Sequence, residues 1–459
     1  MYRQWICFFI YNLKLLILIK QCIIIMQFST VERVIVMLLR VRKSKASGRI
    51  MIPGSKSHTI RALFLGALAK GKSEIRNPLV SSDALSAVEV CRALGAKINH
   101  LEDRYVIEGF GANPKTPMDV VNVGNSGTTL RFGVMTAALG EGYSVFTGDD
   151  QIRKRPLDPL LCAIGNLGAQ VFSTRGNGIA PVVVKGRLKG GSTELDSITS
   201  QYLSSILINA PVIDSDTEVI LTRLNERPYV DMTMWWLDKL GIRYLNHDYK
   251  TFYIKGGQSY NPFDATIPGD FSSASFFAVQ AAISGEEFIL DNLDMTDPQG
   301  DKEVFAILED MGAKVRIREG SVIVKGEELT GREIDMNAIP DALPVMAVAG
   351  CFAKGETRLV NVPQARLKET DRIHVMCEQL GSMGADIEEL EDGLVIRESR
   401  LKGCRVNGCY DHRVVMALAV AGLNAQGETI IDTAEAINIT FPDFVGLMSE
   451  SGADMSLYN

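Results

Sequence analysis

The chain has 459 residues, 46% of them hydrophobic and 22% charged, so it is long enough for two or three domains with large buried cores. A formal net charge of -7 argues against a surface that binds nucleic-acid backbones without sequence specificity. The eight cysteines show no CxxC pair and no histidine at zinc spacing, which indicates a reduced, metal-free cytosolic protein.

The first apolar segment covers residues 5–26, WICFFIYNLKLLILIKQCIIIM, and suggests a signal or a membrane anchor. Lys14 and Lys20 interrupt this run, and no small-residue cleavage site follows it. We therefore favour a start of translation at Met37 or Met26, with residues 1–36 as an extension that is not part of the fold. A membrane anchor is the alternative.

A glycine between a helix end and a strand recurs along the chain, in RALGAKI, GNLGAQV, DKLGIRY, EDMGAKV, GSMGADI and SESGADM. The glycines are Gly95, Gly168, Gly241, Gly312, Gly384 and Gly452, at spacings of 73, 73, 71, 72 and 68 residues. Glycine favours this position because it adopts the left-handed conformation of a helix C-cap without strain. Such a period predicts six small αβ units. KVRIREGSVIVKG and IEELEDGLVIRE also have the pattern of β-hairpins.

Alanine-rich apolar runs with polar starts alternate with these glycines and predict buried helices. Their starts are Gly54, Gly124, Thr199, Gly269, Asp341 and Asp411, spaced by 70 to 75 residues. The first and fourth runs share IPG, which indicates a duplication. We predict an α/β protein with two three-unit domains, one of residues 54–268 and one of residues 37–53 plus 269–459. The last unit lacks a strand, which the run at 34–41 could supply.

The predicted helix starts also carry polar and charged side chains beyond the capping residues. They hold Lys56, Arg61, Asn125, Arg131, Gln201, Asp270, His412 and Arg413. Cations at a helix N-terminus oppose the helix dipole, and they are tolerated there when an anionic ligand lies against the exposed N–H groups. We therefore expect an anion-binding cleft between the domains. GNSGTT at 124–129 has the glycines of a phosphate-binding loop but lacks the lysine of a nucleotide-binding P-loop.

Several motifs occur in the order of one known family: PGSKSHTIRAL, GNSGTTLR, RP at 155–156, TSQY, RPYVDMT, IPDA, RLKETDR and YDHR. From about residue 38 to the C-terminus the chain resembles the 5-enolpyruvylshikimate-3-phosphate synthase family. The resemblance implies a two-domain inside-out αβ prism of six βαβαββ units with its site in the cleft. It implies transfer of the enolpyruvyl group of phosphoenolpyruvate to the 5-hydroxyl of shikimate 3-phosphate, in chorismate and aromatic amino acid biosynthesis. We expect a cytoplasmic monomer with small-molecule substrates, without cofactor, metal, nucleic acid or membrane.

The resemblance assigns two overlapping sets of binding residues. For shikimate 3-phosphate they are Lys56, Ser57, Arg61, Thr199, Ser200, Gln201, Tyr229, Asp341, Gln364 and Lys368. For phosphoenolpyruvate they are Lys56, Asn125, Gly127, Thr128, Arg155, Gln201, Arg372, His412 and Arg413. Both substrates carry a phosphate and a carboxylate, which arginine can bind through two parallel hydrogen bonds.

The implied reaction is an addition followed by an elimination through a tetrahedral ketal. One proton must reach the enol methylene and another must leave the attacking hydroxyl. The resemblance makes Asp341 the partner of the hydroxyl, and makes Lys56 and Glu369 the candidates for moving the methylene proton. The sequence assigns neither of these two to a particular half-reaction.

Four positions depart from the common pattern of the family. Ile439 replaces a lysine near phosphoenolpyruvate, Glu226 a serine near the sugar phosphate, Gln364 an asparagine and Phe132 a proline. A carboxylate repels a phosphate. We therefore expect Glu226 to point away from the site, or the register to differ locally, and we leave Glu226 and Ile439 out of the site.

Two other functions fit parts of the sequence. UDP-N-acetylglucosamine enolpyruvyl transferases share the fold and chemistry, but they use a loop cysteine that has no counterpart in a basic glycine-rich loop here. A membrane-attached, noncatalytic binding protein is the second alternative. The presence of Lys56, Arg155, Asp341, Glu369 and Arg372 together argues against it.

Overall fold

The computed structural model describes residues 37–459. The predicted extension at 1–36, with its apolar segment, lies outside the described residues. The strands are β1 (Leu38–Arg42), β2 (Gly48–Met51), β3 (Lys72–Arg76), β4 (Lys97–Leu101), β5 (Arg104–Glu108), β6 (Val121–Asn122), β7 (Tyr143–Thr147), β8 (Gln170–Ser173), β9 (Val182–Lys185), β10 (Gly191–Ser197), β11 (Thr217–Leu224), β12 (Tyr244–His247), β13 (Thr251–Ile254), β14 (Asp264–Thr266), β15 (Glu287–Asp291), β16 (Lys314–Arg318), β17 (Ser321–Lys325), β18 (Glu333–Asp335), β19 (Glu356–Val360), β20 (Asp386–Leu390), β21 (Gly393–Arg397), β22 (Arg405–Asn407), β23 (Glu428–Asp432) and β24 (Asp454–Tyr458).

Helices alternate with these strands. The α-helices are α1 (Lys56–Leu68), α2 (Ser82–Ala93), α3 (Gly127–Ala137), α4 (Asp158–Asn166), α5 (Ser200–Asn209), α6 (Arg227–Lys239), α7 (Phe271–Ser284), α8 (Glu303–Met311), α9 (Leu343–Phe352), α10 (Arg372–Ser382), α11 (His412–Asn424) and α12 (Phe444–Glu450). Short 3-10 helices cover Ile152–Lys154, Ala210–Val212, Gly300–Lys302, Pro340–Ala342, Pro363–Leu367 and Ala434–Ile439. In the described part of the chain, no helix is long and apolar enough to cross a membrane.

The described residues form six four-stranded sheets that share one plan. In the sheet β18-β19-β21-β20, β18 is parallel to β19, and β21 is antiparallel to both β19 and β20. The other five sheets have the orders β14-β3-β5-β4, β6-β7-β9-β8, β10-β11-β13-β12, β16-β17-β15-β2 and β22-β23-β1-β24. The α/β class predicted from the sequence is therefore confirmed.

Local sequence signals account for the two predicted hairpins and for the helix ends. Strands β16 and β17 pair antiparallel up to Arg318 and Ser321, and β20 pairs with β21 up to Leu390 and Gly393. All six glycines of the recurring helix-end phrase have positive φ, for example +123° at Gly312. The left-handed conformation is open to glycine because it has no Cβ.

Buried apolar side chains form two clusters. The first core lies within residues 60–267, and the second core combines residues 39–52 with residues 271–455. The helix α9 is apolar on all sides, and nine of its ten residues are buried. Helices of this kind must be enclosed by other elements, so each core surrounds such helices with sheets.

The chain runs between the two cores twice, at residues 52–55 and 267–270. These segments touch through a bridge between Gly54 and Gly269. A Cβ added to either glycine would lie 2.2 Å and 2.0 Å, respectively, from a backbone carbonyl oxygen. Glycine is needed at both positions because the backbones approach so closely.

The start of the described chain supplies strands to two different sheets. The predicted strand at 34–41 is Leu38–Arg42 in the structure, and its Leu39 lies opposite both Ile431 and Leu457. The strand β2 was not predicted, and it runs parallel to β15 with Ile50 opposite Leu290. Its four residues, GRIM, are too short and too mixed to show the two-residue periodicity of a strand.

Candidate active site

Charged side chains attached to the two cores meet in one cluster. Arg155, from the first, lies 3.0 Å from the Oε1 atom of Glu369, from the second. The hydroxyl of Tyr229 lies 3.0 Å from the Oδ2 atom of Asp341, and the Lys368 ammonium pairs with Glu226. The structure therefore brings together residues that lie up to 214 positions apart in the sequence.

Asp341 lies at the centre of the cations. Its Oδ1 atom is 2.9 Å from Arg372 Nη1 and 3.8 Å from Lys368 Nζ, and its Oδ2 atom is 3.0 Å from Arg413 Nη2. Burial favours the neutral acid, but Arg413, Lys368, Arg372 and Lys56 together hold the pKa of Asp341 well below its usual range. At neutral pH Asp341 is therefore a carboxylate that can accept a proton.

Arg372 begins helix α10 and links three carboxylates. Its Nε atom lies 2.8 Å from Asp411, its Nη1 atom 2.9 Å from Asp341 and its Nη2 atom 2.6 Å from Glu369. Burial opposes the charge of Arg372, but Asp411, Glu369 and Asp341 raise its pKa. Asp411 also caps α11 by accepting a hydrogen bond from the Arg413 backbone N–H at 2.9 Å. One carboxylate thus positions both arginines.

Glu369 and His412 form the second polar group of the cluster. Burial opposes ionisation of Glu369, but Arg155, Arg372 and Lys56 hold its pKa well below the usual range. Burial drives the pKa of His412 well below its ordinary value, so its imidazole is neutral at pH 7. Neither ring nitrogen of His412 has a hydrogen-bond partner among the described residues.

Lys56, at the start of α1, lies 3.2 Å from Asp83. Burial raises the pKa of Asp83, and the Lys56 charge partly offsets this effect. Lys56 is also close enough to lower the pKa of both Asp341 and Glu369. The role of Lys56 between the two substrates stays a prediction.

Arg61 is predicted to contact a substrate, but in the structure it is only 2% exposed and its donors are occupied. It donates to the Thr233 hydroxyl at 2.8 Å, to the Tyr229 carbonyl at 2.8 Å and to the Ser57 carbonyl at 3.0 Å. Its guanidinium lies 5.7 Å from the ring of Phe132. Burial lowers the pKa of Arg61 to about 10. These contacts fix the start of α6 against α1.

Gly127, the first residue of α3, lies against two guanidinium groups. A Cβ on Gly127 would lie 2.3 Å from Arg131 Nη1 and 2.6 Å from Arg155 Nη1. Asn125 donates to Asp149 at 2.7 Å, which holds the loop before α3. Thr128 is half-buried beside them. A larger residue at position 127 would therefore displace the ends of both guanidinium groups.

The expectation that Glu226 points away from the site is wrong. Glu226 is 1% exposed and lines a cavity of about 30 Å³ together with Arg131, Arg155, Pro156, Ile198, Thr199, Gln201, Tyr202, Gln364, Leu367 and Lys368. Repulsion from a phosphate was the reason for excluding it, but here Lys368 and three hydrogen-bond donors compensate its charge. Ile439 packs against the second core.

Two further residues of this cavity, Gln364 and Gln201, have side-chain amides with an unpaired oxygen atom. Gln364 donates to the Asn337 carbonyl at 3.1 Å. The Oε1 atoms of Gln364 and Gln201 are buried without a hydrogen-bond partner in the described chain. A buried acceptor is costly when it is unpaired, so both amides favour a donor group in the cavity.

Asp301 is a site residue that the sequence analysis missed. It accepts a hydrogen bond from Ser272, and its Oδ2 atom lies 3.2 Å from the Tyr229 hydroxyl that also reaches Asp341. Burial and the Asp341 charge raise the pKa of Asp301 to about 6. Its surrounding sequence, QGDKE, offers no chemical signal that would have identified it.

Known proteins share this sequence and fold. The model of the family EPSP synthase (3-phosphoshikimate 1-carboxyvinyltransferase) matches residues 41–448. The chain belongs to the EPSP synthase family. A 3-phosphoshikimate 1-carboxyvinyltransferase from Acetivibrio thermocellus is 79% identical over 420 residues, which cover 92% of this chain and 99% of that protein. One from Ruminiclostridium cellulolyticum is 64% identical over 421 residues, 92% of this chain and 100% of that protein.

The solved structures agree with this membership. An EPSP synthase from Acinetobacter baumannii matches with a TM-score of 0.77 at 28% identity, and the match covers 92% of this chain and 100% of that one. The inside-out prism expected from the resemblance is consistent with this agreement.

Proposed function

We propose that the protein transfers the enolpyruvyl group of phosphoenolpyruvate to the 5-hydroxyl of shikimate 3-phosphate and releases inorganic phosphate. The product is 5-enolpyruvylshikimate 3-phosphate, on the route to chorismate and aromatic amino acids. The observation that carries this proposal is Asp341, a half-buried carboxylate held ionised by three neighbouring cations in a cluster that joins both cores. Membership of the EPSP synthase family supports the same activity.

In the proposed addition step, Asp341 accepts the proton of the 5-hydroxyl while the hydroxyl oxygen attacks C2 of phosphoenolpyruvate. The Lys56 ammonium delivers a proton to the C3 methylene, which becomes a methyl group. A tetrahedral ketal with the phosphate still attached results. Arg413 supports this role because it keeps Asp341 ionised, and ionised Asp341 is a base rather than an acid.

In the proposed elimination step, the C–O bond to phosphate breaks and a methyl proton leaves. Glu369 fits as the acceptor of this proton, because Arg155 and Arg372 keep its pKa well below the usual range. Arg155, Arg372 and Arg413 stabilise the charge that develops on the departing phosphate. His412, which is neutral, donates an N–H to the same group from its unpaired ring.

The two binding sets remain proposals of the same kind. Thr199, Ser200, Gln201, Gln364 and Lys368 surround the acceptor, since all except Ser200 line the small cavity and Ser200 reaches it through Glu226. A cavity of about 30 Å³ holds only one or two water molecules. The two cores therefore have to move apart to admit the substrates. Closure afterwards excludes water from the intermediate.

We propose that the substrates reach the small cavity through an adjoining groove. It has a volume of about 520 Å³ and is lined by Asp150, Gln151, Lys154, Arg155, Pro156, Arg366, Leu367, Lys368, Glu369, Thr370, Asp371, Cys409 and Tyr410. Its lining shares Arg155 and Lys368 with the small cavity. Both walls of the groove carry cations, which attract anionic substrates.

The decisive experiment measures phosphate release from phosphoenolpyruvate with each candidate acceptor. We expect release with shikimate 3-phosphate and none with UDP-N-acetylglucosamine. The product mass identifies the enolpyruvyl ether. Release with the sugar nucleotide alone would assign the protein to the other reaction, and release with neither acceptor would favour a noncatalytic binding protein.

We further propose that the two cores are separate domains, of residues 54–268 and of residues 37–53 plus 269–459, in a cytoplasmic monomer that needs no membrane or nucleic acid. The Met37 backbone N–H lies 2.9 Å from Glu435, and β1 completes the last sheet, so the second core begins at Met37. A chain beginning at Met37 should be active and monomeric in light scattering. Activity found only in the membrane fraction of the full chain would contradict this proposal.

A further inference from the structure

The Glu226 carboxylate is surrounded by donors. Its Oε2 atom accepts hydrogen bonds from Thr199 Oγ1 at 3.0 Å, from Ser200 Oγ at 2.8 Å and from the Ser200 backbone N–H at 3.1 Å. Its Oε1 atom pairs with the Lys368 ammonium. The Ser200 N–H is the first of helix α5, where the helix dipole favours an anion. A carboxylate thus occupies a pocket made for an anion.

These donors are also the ones that the proposed function assigns to the acceptor. Thr199, Ser200 and Lys368 belong to the shikimate 3-phosphate set. Thr199 and Lys368 line the cavity of about 30 Å³, and Ser200 adjoins it through its hydrogen bonds to Glu226. A phosphate group and the Glu226 carboxylate are both anions, and they need the same hydrogen-bond donors. The two groups therefore exclude each other, by charge and by volume.

The backbone at Glu226 has an unusual conformation. Its φ of +58° and ψ of +42° are left-handed, a region that non-glycine residues seldom adopt and that is frequent at functional sites. Glu226 precedes α6, which carries Tyr229, so its backbone is anchored to the same cluster. Only the side chain has to leave the pocket when a substrate enters.

We propose that Glu226 is an internal competitor for the acceptor's phosphate and thereby sets the affinity for shikimate 3-phosphate. The inference rests on the proposed function for the identity of the acceptor. In the ligand-free protein the carboxylate satisfies Lys368 and the start of α5. When the acceptor binds, its phosphate takes over these donors and the Glu226 carboxylate moves out of the pocket. Phosphoenolpyruvate uses other cations, so its binding depends little on Glu226.

The test compares Glu226→Gln and Glu226→Ser with wild type. Glu226→Gln keeps the shape and one acceptor but loses the charge, and Glu226→Ser removes the competing group altogether. Both should bind shikimate 3-phosphate at least about tenfold more tightly in calorimetry, which corresponds to about 1.4 kcal/mol. The KM for shikimate 3-phosphate should fall accordingly, and the KM for phosphoenolpyruvate should stay within about threefold.

Glu194→Gln is the matched control, because Glu194 is exposed and lies outside the cavity. It makes the same change in net charge and should bind shikimate 3-phosphate like wild type. Unchanged or weaker binding by both Glu226 variants would overturn the proposal. An equal gain in affinity for shikimate 3-phosphate in Glu194→Gln would also overturn the proposal, because the change in net charge alone would then explain the effect.

Two further measurements separate this proposal from the proposed function and from misfolding. Inorganic phosphate probes the pocket without any assumption about the acceptor, and it should raise the melting temperature of Glu226→Gln more than that of wild type. If wild type releases no phosphate with shikimate 3-phosphate, the function fails while this probe still tests Glu226. In a crystal structure of wild type with shikimate 3-phosphate, Glu226 should lie beyond hydrogen-bond distance of Ser200; retained contacts would overturn the proposal even if both variants fail to fold.

Discussion

Two buried arginines of the first core and two of the second are compensated in opposite ways. Arg61 and Arg131, from the first core, have no carboxylate within ion-pair distance in the described chain and contact carbonyls, hydroxyls and aromatic rings instead. Burial accordingly lowers the pKa of both. Arg372 and Arg413, from the second core, pair with carboxylates, which raise their pKa values despite burial.

This difference indicates a division of labour across the cleft. On the first side, Arg131 lines the small cavity with a positive charge that no carboxylate of the described chain neutralises within ion-pair distance, which suits the binding of doubly anionic substrates. The second core presents matched pairs in which the arginines keep carboxylates ionised, which suits proton transfer. We therefore expect variants on the second side to change turnover and its pH dependence as well as affinity, and variants on the first side to change mainly affinity.

The largest expected effect is that of Asp341→Asn. The amide keeps the shape of the side chain but cannot accept the hydroxyl proton, so turnover should fall about 10²- to 10⁴-fold. Calorimetry should still detect shikimate 3-phosphate binding. Asp310→Asn, at an exposed position of the same core, is the control and should leave turnover unchanged. Turnover of Asp341→Asn within a few-fold of wild type would remove Asp341 from the proton transfer.

Arg413→Ala tests whether the pairs of the second core also bind substrate. Losing one partner of a buried charge pair costs roughly 2 to 5 kcal/mol, so phosphoenolpyruvate should bind more than about tenfold more weakly. Shikimate 3-phosphate alone should bind almost as before. Separate titrations with each substrate measure this, and equal weakening of both ligands would contradict the assignment.

Arg413→Ala should also shift the pH profile. Arg413 is the strongest of the cations that lower the pKa of Asp341. Without it that pKa rises, and because Asp341 must be ionised to act as a base, the acid limb of kcat should move to higher pH. An acid limb at the wild-type position would mean that Asp341 does not control it.

Gly127→Ala tests the first side of the comparison. The added methyl group meets Arg131 and Arg155, and overpacking of this kind costs about 1 to 3 kcal/mol. The KM for phosphoenolpyruvate should rise roughly 5- to 100-fold, with a smaller change in kcat. Gly165→Ala is the control, since a Cβ there meets nothing within 4 Å. A kcat loss without a KM change would place Gly127 on the catalytic side.

The smallest expected effect is on stability, at Asp301. Its folded pKa of about 6 lies above the value of an unfolded aspartate, so the native state is destabilised as pH rises through this window. Asp301→Asn removes this penalty. Its melting temperature should exceed that of wild type by about 2 °C or more at pH 7.5 and match it near pH 3.5. A gain that is equal at both pH values would show that ionisation is not the cause.

Much of the fold could be predicted because its signals are local. The six predicted helix starts differ from the observed ones by only one to three residues; for example, Thr199 precedes α5 and Asp411 precedes α11. Glycine capping and apolar runs depend on neighbours in the sequence. The strand β2 was missed because its pairing with β15 decides its conformation, and that partner lies about 240 residues further along.

The resemblance named several side chains that lie together in the structure, but the ion-pair partner of each side chain was harder to predict. The structure places Asp341, Glu369, Arg372 and Arg413 together as expected. The sequence analysis left Glu226 out of the site because the cation that compensates its charge, Lys368, lies 142 residues away in the sequence. Side-chain pairs at such separations leave no periodicity in the sequence.

The position of β1 has a consequence for biosynthesis. Of the described strands, this one leaves the ribosome first, yet both of its partners, β23 and β24, belong to the last unit of the chain. The Arg42–Glu428 ion pair joins residues 386 positions apart. At typical rates of translation, β1 waits roughly 20 to 80 seconds for β23. During that time the first core can be completed, because its residues form one continuous stretch. The nascent chain thus carries an unpaired strand edge ahead of the completed first core, and such edges are the segments that chaperones protect from aggregation.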